Sequence, residues 1–223
     1  MSILPIVRLG HPALRGVAQA LPPERIAEAA IQELVDDMIE TMRAAHGVGL
    51  AAPQVGTSLQ IFIYEIASDA APPAGQTEGP SPVPERQSIG PIPLRVVINP
   101  MLTPQSGELV YDWEGCLSIP DLRGLVPRHP AVRVRGLDRL GQPLDYVAAG
   151  FEARIVQHEF DHLNGVVFLD RMRDLKALAF REEWERYMAA GSDEPLDPLA
   201  SSPPLPKEEA ALTAAGPPAA PGK

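Results

Sequence analysis

Two stretches of this chain cannot join a packed core, and they set the limits of what can. Residues 67–93, ASDAAPPAGQTEGPSPVPERQSIGPIP, and residues 191–223, GSDEPLDPLASSPPLPKEEAALTAAGPPAAPGK, hold 15 of the 26 prolines and no aromatic residue. Segments so poor in large apolar side chains bury too little surface to offset the entropy of ordering them. The first is therefore expected to be a proline-rich surface insertion, and the second a disordered Pro/Ala-rich tail. What remains, residues 1–190 with the insertion looped out, suits one catalytic-sized domain with one core.

Within that domain the apolar pattern runs from helical to strand-like and back. After Pro22 and Pro23, the residues Ile26, Ala30, Leu34, Met38 and Met42 recur four apart, with Ile31 and Ile39 widening the stripe, which predicts an amphipathic helix over 24–47. Branched and aromatic content with partial alternation predicts strands at 59–66, 94–100, 131–138 and 143–150. Residues 151–165 read as a helix stopped by Asn164 and Gly165, and 174–190 as a final helix. Helices at both ends with strands between them imply an α+β fold. The expected architecture is antiparallel or mixed sheets around the 151–165 helix, with one N-terminal and one C-terminal helix.

Charge and cysteine usage narrow the function classes. A formal net charge of −10 opposes direct binding to nucleic acid. Cys116 is the sole cysteine, so no intrachain disulfide is possible. The N-terminus MSILPIVRLGHPALRG lacks the apolar run of a secretory signal, and no stretch approaches the roughly 20 apolar residues of a membrane helix. A cytoplasmic location without membrane contact is expected.

The stretch QHEFDHLNG, residues 157–165, carries the chemistry. On a helix His158 and His162 lie one turn apart on one face, so both imidazoles can reach one ion, and Glu159 can reach a water beside it. A third ligand is needed. The extended metalloprotease pattern would put a histidine at 168, where Phe168 stands. A glutamate from a later helix is a second route, with Glu182, Glu183 and Glu185 as candidates for a zinc protease, although paired charges on a solvent face explain them equally well. The third route is Cys116, whose thiolate would leave an open fourth position. Its setting in WEGCLSIP favours it, since Gly115 permits close backbone approach and Pro120 restrains the turn that follows.

Taken in order, GVGLAAPQVG (47–56), EGCLSIP (114–120) and QHEFDHLNG (157–165) resemble the three signature motifs of the peptide deformylases. The likeness runs from about Ile6 to about Tyr187, broken by the insertion, which is longer than expected between those strands. Asp112-Trp113 before Glu114 is also an unusual approach to the cysteine motif. The resemblance implies a metal-dependent hydrolase that removes the formyl group from the N-terminal formyl-methionine of new proteins. It implies Cys116, His158 and His162 as ligands, and Fe²⁺ as the ion, with Zn²⁺, Ni²⁺ or Co²⁺ as substitutes. Its partners would be N-formyl-methionyl nascent peptides, with transient ribosome association, although the tail bears no likeness to a basic ribosome-binding helix.

Hydrolysis of a formamide needs an activated water, oxyanion stabilisation and a proton for the departing amine. Glu159 suits the proton work by helix geometry and by resemblance. Gln54 and the backbone N–H of Leu117 resemble the family's oxyanion donors. Val48, Gly49, Gly115 and Arg123 match positions near the bound peptide. Val48, Trp113, Phe151 and Ile155 could line an apolar pocket for methionine. Asp161 could orient a ligand or pair with Arg128.

Overall fold

The computed structural model describes residues 2–67 and 90–189. Most of the expected insertion and the whole expected tail lie outside the described residues. The first helix, α1 (Ala29–Ala44), begins later than its apolar spacing suggests. Pro22 and Pro23 start a 3-10 turn over Pro23–Arg25, Arg25 pairs with Glu28 at 3.0 Å, and Glu28 is extended with ψ 136°. A step of four residues drifts by about 40° per repeat around a helix, so the five-residue series cannot stay on one face. The buried stripe is instead Ile31, Val35, Met38, Ile39 and Met42, while Ala30 is exposed and Ile26 reaches the same core from the turn.

The strands follow as β1 (Gly49–Ala51), β2 (Ile61–Ile66), β3 (Ile92–Pro104), β4 (Val110–Cys116), β5 (Ile119–Arg128), β6 (Ala131–Leu137) and β7 (Pro143–Ala149). Helix α2 (Gly150–Leu163), a short α3 (Phe168–Arg171), strand β8 (Leu178–Phe180) and α4 (Arg181–Tyr187) complete the fold. One antiparallel sheet runs β1-β2-β3-β6-β7, and a second runs β4-β5-β8. No helix among the described residues is long and apolar enough to cross a membrane.

The larger sheet is covered on both faces, which explains why β2 is apolar without alternation. Ile61 and Ile63 pack with Val96 and Ile98 against α1, whereas Phe62 and Tyr64 pack with Val97, Val132 and Val134 against Ala153, Ile155 and Val156 of α2. Each such fully buried side chain contributes about 1.5–3 kcal/mol. A third cluster, Cys116, Ile119, Val126, Val167 and Phe168, joins the small sheet to α3. Helix α2 thus lies between the two sheets.

The expected C-terminal helix over 174–190 is shorter in the structure. The Asp174 side chain accepts from Lys176 N at 2.9 Å and caps a 3-10 turn over Leu175–Ala177. Leu178–Phe180 then pair with β5, Leu122 opposite Phe180 and Arg123 opposite Ala179, before helix resumes at Arg181. Satisfying an open sheet edge outweighs the local helix preference. Strands β4 and β5 form a long hairpin that the sequence pattern does not announce, because Gly115, Pro120, Gly124 and Pro127 interrupt their alternation.

Candidate metal centre

Helix α2 ends where Asn164 and Gly165 mark it, with Gly165 at φ 71° packed on the backbone oxygen of Arg15. His158 and His162 stand on its one face with ring centroids 5.0 Å apart. Phe168, at the place of the third histidine in the longer protease pattern, stacks beside His158 at 6.4 Å. The third donor comes from the β4–β5 hairpin. Its register shifts between Glu114 and Cys116, and such a bulge re-aims the side chain that follows.

Cys116 Sγ lies 3.3 Å from His162 Nε2, and one ligand atom from each of Cys116, His158 and His162 falls within 4.8 Å of the others. A tetrahedral ion with ordinary metal–sulfur and metal–nitrogen bonds separates such donors by about 3.6 Å, so the three side chains fit one. All three are buried. Burial alone pushes the Cys116 thiol up, but the charge of His162 and hydrogen bonding by His158 and His162 bring it down to about 5, which favours the thiolate a metal requires. Among the described residues this is the one His/Cys/Asp/Glu group of that geometry. Glu182 is strongly exposed and pairs with Arg186 at 3.7 Å, on the outer face of α4.

Glu114 holds the histidine in place. His158 Nδ1 donates to Glu114 Oε2 at 2.9 Å, so Nε2 is the ring atom left for an ion. Glu114 also accepts from Arg128 Nε at 2.9 Å and from Arg154 Nη1 at 2.9 Å. Burial pushes its carboxyl up, yet Arg128 and His158 hold it well below the usual carboxylate range. This role of Glu114 went unread in the sequence, where an acid two residues before the cysteine was its sole signal. Asp161 takes the second of its expected roles. It accepts from Arg128 Nη1 at 2.6 Å and Arg171 Nη2 at 2.7 Å, and so braces the arginine that braces Glu114.

A cleft of about 540 Å³ opens over the cluster. Cys116, His158 and Glu159 reach it, while His162 lies fully buried behind them. Glu159 is buried, its Oε2 has no hydrogen-bond partner among the described residues, and burial pushes its carboxyl up to about 7 against the pull of His158 and His162. Gly49 lets strand β1 lie on that carboxylate, since a Cβ there would stand 2.3 Å from Glu159 Oε1. Gln54, in the 3-10 turn Ala52–Val55, accepts from Ala51 N at 2.8 Å and directs Nε2 at Ser118 Oγ (3.3 Å) and Cys116 Sγ (3.5 Å). Leu117, Val48, Gly115, Arg123, Trp113, Phe151 and Ile155 all line the same cleft. The structure therefore brings together every residue singled out in the sequence for metal binding, catalysis or substrate contact, while Asp161 and Arg128 lie behind and the glutamates of α4 do not join the cluster.

Residues 3–178 match the family model described as polypeptide deformylase. Peptide deformylase 1 of Nitrosomonas europaea is 39% identical over 180 residues, covering 81% of this chain and 93% of that protein. Peptide deformylase 2 of a Nostoc species is 43% identical over 184 residues, covering 82% and 94%. Among solved structures, a Met-Ala-Ser-bound class I type b peptide deformylase from Acinetobacter baumannii superposes with a TM-score of 0.65 at 34% identity, covering 77% of this chain and 100% of that one. The actinonin complex of a Synechococcus elongatus peptide deformylase gives 0.63 at 34% identity, covering 78% and 81%.

Proposed function

The chain belongs to the polypeptide deformylase family, whose members remove the N-formyl group from nascent peptides, and we propose that it does so with Cys116, His158 and His162 holding Fe²⁺ and with Glu159 moving the proton. The observation that carries this assignment is the buried three-donor cluster opening onto the same cleft as Glu159 and Gln54. When bound, the ion supplies a Lewis acid and lowers the pKa of water.

The rest is work for the chain's own side chains. Glu159 takes a proton from the attacking water as its oxygen joins the formyl carbon, and later gives it to the amine nitrogen as the C–N bond breaks, leaving formate and a free N-terminus. Gln54 Nε2 and the Leu117 N–H face the oxygen that gains charge; the glutamine is a neutral donor and needs no proton to act. Val48, Trp113, Phe151 and Ile155 offer the apolar wall that a methionine side chain prefers. Gly49 and Gly115 let the peptide backbone approach closely. The substrate class agrees with the Met-Ala-Ser peptide bound by the A. baumannii relative. We place the reaction in the cytoplasm, on chains emerging from the ribosome.

Formate release from formyl-Met-Ala-Ser tests the reading. Wild type should turn the peptide over and Glu159→Ala should not, with equal metal content in both. Turnover by the variant at the parental rate removes Glu159 from the mechanism. Protein prepared without oxygen should be most active with iron; full activity on zinc with no gain on iron would reject Fe²⁺.

A further inference from the structure

Arg123 is a half-buried cation facing the cleft, attracted by Glu185 and Asp121 but in ion-pair contact with neither. Its guanidinium rests against Gly115, where a Cβ would meet Nη1 at 2.1 Å, and lies over the Trp184 ring at 5.9 Å. Nη1 donates to Leu122 O at 2.9 Å, but no carboxylate of the described residues comes within 4.0 Å. The pairing of β8 with β5 sets Ala179 opposite Arg123 and so brings a second arginine, Arg181, to the same rim. Among the described residues Arg181 makes only long ion-pair contacts, 3.6 Å to the exposed Asp121, which also lines the cleft, and 4.0 Å to Glu185. Burial and then the charge of Arg181 lower the pKa of Arg123, and the more distant carboxylates of Glu185 and Asp121 offset this only in part.

We propose that Arg123 and Arg181 form a carboxylate-reading subsite that favours formyl-peptides with Asp or Glu as the second or third residue. The assignment rests on the cleft being the formyl-peptide site. A carboxylate between two guanidiniums relieves their repulsion and accepts paired N–H bonds in a planar fork. Arg181 and Trp184 lie past residue 178, where the family-model match ends. The protein's overall charge of −10 would by itself disfavour acidic peptides, so an acidic preference has to arise locally. A short peptide could also present its terminal carboxylate, and amidation separates the two sources.

The test compares kcat/KM of the metal-loaded full chain on C-terminally amidated formyl-Met-Ala-X and formyl-Met-X-Ala, with X as Glu, Gln or Lys, plus the free acid of the Gln peptide. Glu should exceed Gln by about fivefold at one of the two positions, mainly through KM, with Lys slowest, as expected for a partly shielded ion pair. Arg181→Glu, at an exposed position that folding tolerates, should abolish the gap, and Arg123→Lys should narrow it by removing the fork. Equal rates for Glu and Gln, a gap that survives Arg181→Glu, or a gain confined to the free acid would each overturn the proposal. Absence of turnover on the Gln peptide would instead reject the reading of the cleft, and the subsite with it.

Discussion

His158 donates its Nδ1 proton to Glu114 across 2.9 Å, and this one bond links the ion-binding cluster to a buried chain of charges. Glu114 binds Arg128, and Arg128 binds Asp161, which belongs to the same helix as the histidines. The hairpin carrying Cys116 and the helix carrying His158 and His162 are therefore locked by a salt-bridged bracket behind the site.

Glu114→Gln should keep the fold but weaken metal binding, because the amide offers a poorer acceptor to His158 and places a donor among three existing donors. Loss of such a partner costs about tenfold to a hundredfold in affinity. Competition with a chromophoric chelator measures it. Unchanged affinity would show that His158 is oriented by packing, with Phe168 the evident cause.

Gly49→Ala should lower kcat by about a hundredfold while metal content stays at the wild-type level. The added methyl would overlap Glu159 Oε1 at 2.3 Å and the carboxyl carbon at 2.8 Å, so the carboxylate must move, and a misplacement near 1 Å has a cost of about that size. Steady-state kinetics beside metal analysis separates this from general damage. A wild-type kcat would mean that Glu159 acts from another rotamer.

The helical half of the site was legible because its information is local. Two histidines at i and i+4 on a segment stopped by Asn164 and Gly165 must share a face, whatever surrounds them. Cys116 is another matter, since its arrival depends on the register of β4 on β5 and on the shift after Glu114, which no spacing along the chain encodes. Gly115 and Pro120 hinted at a turn but concealed a strand. The final segment misled in the opposite way: Leu178–Phe180 suit a helix locally, and only the open edge of β5 makes them a strand. The setting of Cys116 in WEGCLSIP favoured it and resemblance to known motifs completed the ligand set, whereas the bracket around Glu114 shows only in the folded chain.

Cys116→Ala should lose bound metal after dialysis, whereas Glu182→Ala should retain it. Two histidines alone make a weak site, and removing the thiolate takes away the donor with the strongest charge. Glu182 is exposed and occupied with Arg186 at 3.7 Å, far from this role. Inductively coupled plasma analysis of both variants beside wild type decides the point. Metal retained by Cys116→Ala and lost by Glu182→Ala would reverse the assignment.

Arg128→Ala should destabilise the metal-free protein by about 3–5 kcal/mol, the cost of removing one partner from a buried charge network. Arg128 is buried between Glu114 and Asp161, with Nε at 2.9 Å from the first and Nη1 at 2.6 Å from the second. Its removal leaves Glu114 with Arg154 and Asp161 with Arg171, so each carboxylate keeps one cation and neither is orphaned outright. The loss should accordingly fall toward the lower end of that range. Arg128→Met keeps the volume of the stem, avoids the cavity and should recover part of the deficit, which assigns the remainder to charge. Urea unfolding of both variants in the presence of a chelator gives the two numbers, and equal stability of Arg128→Ala and wild type would mean that the bracket is not what ties hairpin to helix.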